Sequence, residues 1–224
     1  MTFELNLLPL AELDHIMVDD KRLYETPNGN YPSVTTVLSA TTDNSAIDAW
    51  RARVGAAAAD AKTKRSTDRG TAVHSMCEDY IQGKEQNLSE KMPFLVDLFV
   101  QIKKVLDNDV SNVMGIESAL YSDIYKVAGR CDLIADFRGV PSIIDYKTSD
   151  KVKREDWIEN YFLQSSLYSY MLWEMTGVVT KQIVLLIAIE DSNMCQVIVK
   201  KPSQYIAKAI SLVKKYHEQA SQQS

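Results

Sequence analysis

Cysteine, glycine and proline are scarce in this chain. Its 224 residues contain three cysteines, eight glycines and six prolines. So little Gly and Pro excludes collagen-like and low-complexity sequences. The three dispersed thiols, Cys77, Cys131 and Cys195, cannot build a four-cysteine zinc site or an iron–sulfur cluster, and they favour a reducing, intracellular compartment.

Long apolar runs are missing as well. The longest run, residues 183–189, is too short to span a bilayer, so we expect no membrane association. The first twenty residues contain five acidic residues and no Lys or Arg, which predicts neither a secretory signal nor an Arg-rich transit peptide. We therefore expect a cytoplasmic protein of a bacterium or of a phage-infected host cell.

The composition is that of a globular protein, with 46% hydrophobic and 25% charged residues. The length predicts one compact monomer in which residues 1–69 pack on a core of residues 70–224. The net charge of -5 argues against a basic surface over the whole protein, but residues 51–69 contain six basic and two acidic residues. This basic segment is either a phosphate-binding strip or a solvated helix face.

The residue pattern changes type several times along the chain. Short strands with a turn at residues 27–30 come first, and residues 32–38 are either a strand end or a helix start. Helical spacing covers 46–64, 71–82 and 92–106, strands fit 113–121, 126–137 and 140–147, and a helix, two strands and a helix follow. This order predicts an α/β (α+β mixed) fold with a central mixed sheet flanked by helices. The phosphate-loop and serine-hydrolase motifs are absent.

Two acidic residues interrupt the apolar strands on either side of residues 138–139. A two-residue turn there places Asp132 opposite Asp145, and Lys147 projects from the same face. Facing carboxylates repel each other unless they share a proton or bind a cation, and their oxygen atoms suit Mg²⁺. The alternative is a surface Asp–Lys ion pair, which leaves the apolar context unexplained.

Four short motifs follow one another between residues 70 and 168. They are Gly70-Thr71-x-x-His74-x-x-x-Glu78, Gly129-x-x-Asp132, Asp145-Tyr146-Lys147-Thr148-Ser149 and Gln164-x-x-x-Tyr168. In this order they resemble the RecB-like exonuclease branch of the PD-(D/E)XK nuclease superfamily. Residues 32–38, followed by Trp50-Arg51 and the basic segment, are similar to a narrower group, the mitochondrial genome maintenance exonucleases and their bacteriophage relatives. Cys131 stands where the superfamily's name has proline.

The resemblance implies a restriction-endonuclease-like core that uses one or two Mg²⁺ or Mn²⁺ ions. It implies metal ligands at His74, Asp132, Asp145 and the Tyr146 carbonyl, with Lys147 as the catalytic lysine and Glu78 as a supporting catalytic residue. Glu117, on the first predicted strand, is a weaker candidate for a site residue. The DNA-binding residues would be Gln164 and Tyr168, together with Arg51, Lys64, Arg65 and Arg69 of the basic segment.

The resulting hypothesis is a metal-dependent exodeoxyribonuclease acting on single-stranded DNA or frayed DNA ends. A structure-specific endonuclease would use the same metal site and stays open. A catalytically silent nucleic-acid-binding subunit is disfavoured, because it has no need to keep mutually repelling carboxylates. A glycosidase built on two carboxylates would have no role for Lys147 or for the histidine motif.

Overall fold

A computed structural model describes residues 2–19 and 21–222 of the chain. Met1, Asp20 and residues 223–224, which belong to the predicted N-terminal region and core, lie outside the described residues. The chain starts with a small antiparallel sheet made of β1 (His15–Val18), β2 (Lys21–Thr26) and β3 (Gly29–Pro32). Thr26 pairs with Gly29, which confirms the predicted turn at this point.

Four helices follow the small sheet: α1 (Val34–Thr41), α2 (Ser45–Val54), α3 (Ala56–Ile81) and α4 (Pro93–Asp109). The Ser33 hydroxyl accepts a hydrogen bond from the Thr36 N–H at 3.0 Å, which is the contact of a helix N-cap. The segment after Pro32 is therefore a helix start rather than the end of a strand.

The central sheet occupies the second half of the chain. It contains β4 (Val110–Ser122), β5 (Val127–Phe137), β6 (Val140–Ser149), β7 (Gln182–Ile189) and β8 (Gln196–Lys200), in chain order. Strands β6 and β7 are parallel and are joined through α5 (Glu159–Thr176), whereas the other neighbours are antiparallel. Helix α6 (Ile206–Ser221) completes the chain. The mixed α/β prediction is confirmed.

Helices cover both faces of this sheet and create two apolar cores. Helices α1, α5 and α6 pack with Ile143 and Leu185 on one face, while α3 and α4 pack with Ile144 and Leu186 on the other. Consecutive residues of β7 point into opposite cores, so the strand is apolar throughout. In residues 2–19 and 21–222, no helix combines the length and apolar character that crossing a bilayer requires.

Helix α3 corrects two predictions. The expected helix over 46–64 is interrupted at Gly55, and no new helix begins at Gly70–Thr71, because α3 continues through both residues. Gly55 has φ of 86°, a conformation that glycine adopts without the steric cost paid by other residues. The division into residues 1–69 and 70–224 stays a prediction, and α3 runs across that boundary.

Candidate functional site

The hairpin between β5 and β6 turns where the sequence predicts. Phe137 pairs with Val140, and the turn residues Arg138 and Gly139 have φ of 52° and 75°. Two consecutive positive φ values are typical of a type I′ turn, whose twist matches that of the flanking strands. The predicted register holds through every pair of this ladder, which fixes the positions of the acidic residues on both strands.

The two strands stop pairing just before the acidic residues. The last pair is Leu133 with Ile144, one step short of Asp132 and Asp145. Beyond it, an Asp132 carboxylate oxygen accepts a hydrogen bond from the Tyr146 N–H at 2.7 Å. The Asp132 side chain therefore takes the place of a ladder partner, and the opening leaves room for functional groups between the strands.

A three-residue cluster forms at this opening. One donor atom from each of His74, Glu117 and Asp132 lies within 4.8 Å of the others. His74 Nε2 lies 2.7 Å from the Tyr146 carbonyl oxygen, and His74 Nδ1 lies 3.4 Å from an Asp132 oxygen. A carbonyl can only accept, so Nε2 donates to it, and Nδ1 is the ring nitrogen that faces the Asp132 carboxylate. An imidazole nitrogen and two carboxylates thus converge on one point.

Glu117 joins the cluster through an irregular backbone. Its φ of 45° is unusual for a strand residue and falls between the pairs Ile116–Leu133 and Ser118–Cys131. The Arg130 guanidinium donates to the Glu117 carbonyl at 2.6 Å. Burial, followed by the charges of Asp132 and Glu78, raises the pKa of the Glu117 carboxyl to about 8. Sequence reasoning ranked this residue low because a positive φ at a glutamate has no sequence signature.

Asp145 and Lys147 form a buried ion pair beside the cluster. Asp145 is only 2% exposed, and the Lys147 ammonium contacts its carboxylate. Burial raises the pKa of Asp145 to about 6, with Lys147 opposing this shift and Asp132 adding to it. Lys147 also donates to the Tyr146 carbonyl at 3.3 Å and lies 5.0 Å from the centre of the Tyr161 ring.

The chemistry of this donor set fits a hard divalent cation. Burial and the neighbouring carboxylates raise the pKa of Glu117, so the ionised form of this cluster is favoured only when a cation is bound. Carboxylate and carbonyl oxygens with one imidazole suit Mg²⁺ or Mn²⁺ better than a soft metal. The converging residues that could hold the ion are His74, Glu117 and Asp132. Ligation by Asp145 and by the Tyr146 carbonyl stays a prediction, because Lys147 contacts the first and His74 Nε2 the second.

The cluster lies on the floor of an open groove of about 670 Å³, which we call the site groove. Helix α3 provides one wall, and the small N-terminal sheet provides the other. The site groove is lined by His15, Arg22, Glu78, Glu117, Asp132 and His74, among others. Glu78 accepts a hydrogen bond from Gln82 at 3.1 Å. The contribution of β1 and β2 to this groove was not anticipated from the sequence.

Tyr168 supports the site from below. Its ring is 3% exposed, and its hydroxyl accepts a hydrogen bond from the Gln164 amide at 2.9 Å. A ring this deeply buried cannot stack on a base in this conformation. It packs directly over Gly129, where a Cβ atom would lie 2.7 Å from a ring carbon. The glycine of the second motif therefore makes space for the tyrosine of the fourth.

We expect Gly129→Ala to lower the free energy of unfolding by about 1–3 kcal/mol, because the buried Tyr168 ring must move. Denaturant unfolding measures this loss. In a Tyr168→Leu background the same substitution should cost much less, since the clashing ring is gone. Equal losses in both backgrounds would contradict the proposed contact.

The basic segment is largely neutralised within the protein. Its ion pairs are Arg51–Asp60, Lys62–Asp150, Lys64–Asp68, Arg65–Glu190, Arg69–Asp150 and Arg69–Glu190. Arg69 is 5% exposed and also donates to the Thr148 hydroxyl at 3.0 Å, so it ties α3 to the end of β6. DNA contact by Arg51, Lys64 and Arg65 stays a prediction. DNA contact by Arg69 also stays a prediction, but its side chain is already engaged in linking α3 to β6.

The family model of the PD-(D/E)XK nuclease superfamily matches residues 87–222, more than half of the chain. This chain belongs to the PD-(D/E)XK nuclease superfamily. Nucleases of this superfamily use divalent metal ions, in agreement with the donor set described above. The five-stranded mixed sheet with helices on both faces is the fold of this superfamily.

Curated relatives of this PD-(D/E)XK nuclease include mitochondrial genome maintenance exonuclease 1. The human protein is 26% identical over 129 residues, which are 54% of this chain and 38% of the relative. The Xenopus tropicalis protein is 26% identical over 133 residues, or 56% of this chain and 38% of the relative. The matched region therefore spans well under half the length of these relatives.

One solved structure of a candidate exonuclease from Eubacterium rectale resembles the PD-(D/E)XK chain described here. The identity is 11%, the TM-score is 0.44, and the match covers 67% of this chain and 65% of the other.

Proposed function

We propose that this protein is a metal-dependent exodeoxyribonuclease that hydrolyses single-stranded DNA or frayed DNA ends. The observation that carries the proposal is the convergence of His74, Glu117 and Asp132 beside the buried Asp145–Lys147 pair, at the floor of an open groove. The preference for ends is proposed from the similarity to mitochondrial genome maintenance exonuclease 1.

Each residue of the site has a proposed task. His74, Asp132, Glu117, Asp145 and the Tyr146 carbonyl would hold one or two divalent ions, which when bound would activate water and offset charge on the phosphate. Lys147 holds a positive charge at the edge of the acidic cluster, where it can stabilise the negative charge that develops on a phosphate oxygen. The His74 Nε2–H bond to Tyr146 orients the imidazole.

Stability without metal should fall as the pH rises. The pKa of Glu117 is about 8 in the folded protein and near 4.5 in an unfolded chain, so the folded state holds the proton more tightly. This stabilisation is complete below about pH 4.5 and is lost as the pH rises to about 8. Mn²⁺ should raise the thermal midpoint more at pH 8 than at pH 5, because protons compete for the same oxygens.

Thermal unfolding with chelator or Mn²⁺ across this pH range tests the prediction. The matched variant is Glu117→Gln, which lacks the titrating proton and should lose less stability between pH 5 and pH 8. A decline of the same size in the variant and in the wild type would show that Glu117 is not responsible.

An end-labelled substrate panel tests the function. Linear single-stranded, linear duplex, flapped and circular single-stranded DNA are each incubated with Mg²⁺, Mn²⁺ or chelator. We expect label release from linear single strands with metal, intact circles, and no reaction with chelator. Cleaved circles would indicate the endonuclease instead, and inertness with every substrate would favour the silent binding subunit.

A further inference from the structure

We infer that Arg22 on β2 and the hydroxyl-bearing face of α1 bind the phosphates of the DNA strand next to the phosphate that is cleaved. The small N-terminal sheet would then position the substrate, whereas the central sheet carries out the chemistry. This inference rests on the proposed nuclease function and goes beyond it, because it assigns a binding path outside the superfamily motifs.

Two grooves meet at Arg22. One is the site groove, where Arg22 shares the lining with Asp132 and His74. The other is a shallow groove of about 460 Å³, which we call the outer groove; it is lined by Met17, Lys21, Arg22, Thr35, Thr36, Ser39 and Ala40. A strand whose scissile phosphate lies at the cluster could therefore continue past Arg22 into the outer groove.

The register of the small sheet directs Arg22 toward the body of the protein. Tyr24, two residues further along β2, is buried and pairs with Tyr31, and both pack against β4 and β5. Residues two apart in a strand lie on the same face. Arg22 therefore lies on the face that packs on the body, yet at a position where its side chain remains exposed.

Arg22 differs from the other arginine of the site groove in having no partner. Arg130 donates to Glu12 at 2.8 Å and to the Glu117 carbonyl at 2.6 Å. Within residues 2–19 and 21–222, the Arg22 guanidinium makes no ion pair or hydrogen bond. Its donors are free for a ligand, and a guanidinium can bind two phosphate oxygens at once.

The acidic floor of the site groove gives such a cation a role. Glu78 and Asp132 repel every phosphate of an approaching strand, and a bound metal ion would offset this repulsion only at the point of cleavage. A positive charge on the opposite wall would hold the neighbouring phosphate. This is the arrangement that backbone contacts use to set the register of a strand.

Helix α1 supplies neutral donors further along the path. The hydroxyls of Thr35 and Thr36 lie 2.9 Å and 2.8 Å from the Ser33 hydroxyl, which fixes their position at the start of α1. Ser39, one helical turn beyond Thr35, is exposed on the same groove. Hydroxyl contacts to phosphate are frequent in protein–DNA complexes and carry no base preference. The path therefore suits a strand of any sequence.

Steady-state kinetics on substrates of graded length test this inference. The substrates are single-stranded oligonucleotides of about 4 to about 16 nucleotides and a minimal one, the p-nitrophenyl ester of thymidine 5′-phosphate. For Arg22→Gln we expect KM to rise about tenfold on oligonucleotides, with kcat retained and the minimal substrate cleaved normally. The dependence of log KM on log salt should weaken by about 0.7, the value for one phosphate on a single strand.

Two further variants separate positioning from general charge effects. Arg22→Lys keeps the charge and should recover most of the affinity. Arg138→Gln removes one charge from an exposed arginine at the far end of the hairpin and should leave KM unchanged. A wild-type KM for Arg22→Gln at every length, or an equal loss on the minimal substrate, would overturn the inference while the nuclease function stands. A wild-type protein that cleaves neither the oligonucleotides nor the minimal substrate would instead refute the proposed function.

Discussion

Asp145→Asn is expected to lower the rate of phosphodiester cleavage by about 10³-fold. The substitution keeps the size and shape of the side chain but removes the charge from a carboxylate that is 2% exposed, contacts Lys147 and feels the charge of Asp132. A neutral amide oxygen is a much weaker ligand for a hard divalent cation than a carboxylate. Label release from a linear single strand under single-turnover conditions measures the loss.

The matched control is Asp136→Asn. Asp136 lies on β5 and accepts a hydrogen bond from Asn112 at 3.2 Å, outside the cluster and the site groove. The Asp136→Asn variant should cleave DNA at close to the wild-type rate. The thermal midpoint of both variants shows whether the fold is retained. If Asp145→Asn remains folded and within tenfold of the wild-type rate, Asp145 does not act as a metal ligand.

Lys147→Met is expected to lower kcat by about 10²–10³-fold with a smaller change in KM, since the ammonium acts where charge develops on the phosphate. Methionine retains the apolar stem and preserves the packing. The substitution also removes the ammonium that holds down the pKa of Asp145, so this pKa rises further. The acid limb of the residual activity should therefore move to higher pH.

A pH–rate profile of wild type and Lys147→Met measures both effects. Lys151→Met is the control, because Lys151 lies in the loop after β6 and its ammonium faces the Trp157 ring at 6.0 Å rather than a carboxylate. An unchanged kcat in Lys147→Met would remove this lysine from the chemistry. A reduced kcat with an unshifted acid limb would leave a catalytic lysine that does not control the ionisation of Asp145.

The local sequence is sufficient to predict those features that depend only on residues close together along the chain. The hairpin is predicted because Arg138-Gly139 permits two positive φ values and strand alternation then determines each pair. The same local reasoning predicts the wrong start for α3. It took Gly70 as a helix boundary, whereas the long-range packing of α3 on β6 keeps that residue inside the helix.

Charge clusters were the least predictable feature. In the sequence, residues 51–69 resemble a phosphate-binding strip. In the structure, however, Arg65 and Arg69 pair with Glu190, more than a hundred residues away along the chain. Arg22 looks ordinary in sequence and is the arginine left without a partner among the described residues around the site groove. The sequence shows how many charged residues are present, whereas the fold determines which of them form ion pairs.

The sequence alone determined the mixed α/β class and the hairpin register, and the register in turn predicts that Asp132, Asp145 and Lys147 belong to one site. Those properties follow from turn chemistry and from the periodicity of apolar residues. Only the tertiary structure decided that Glu117 joins His74 and Asp132, and that the N-terminal sheet forms the second wall of the site groove. Both depend on backbone distortion and on contacts between distant segments, which no local pattern encodes.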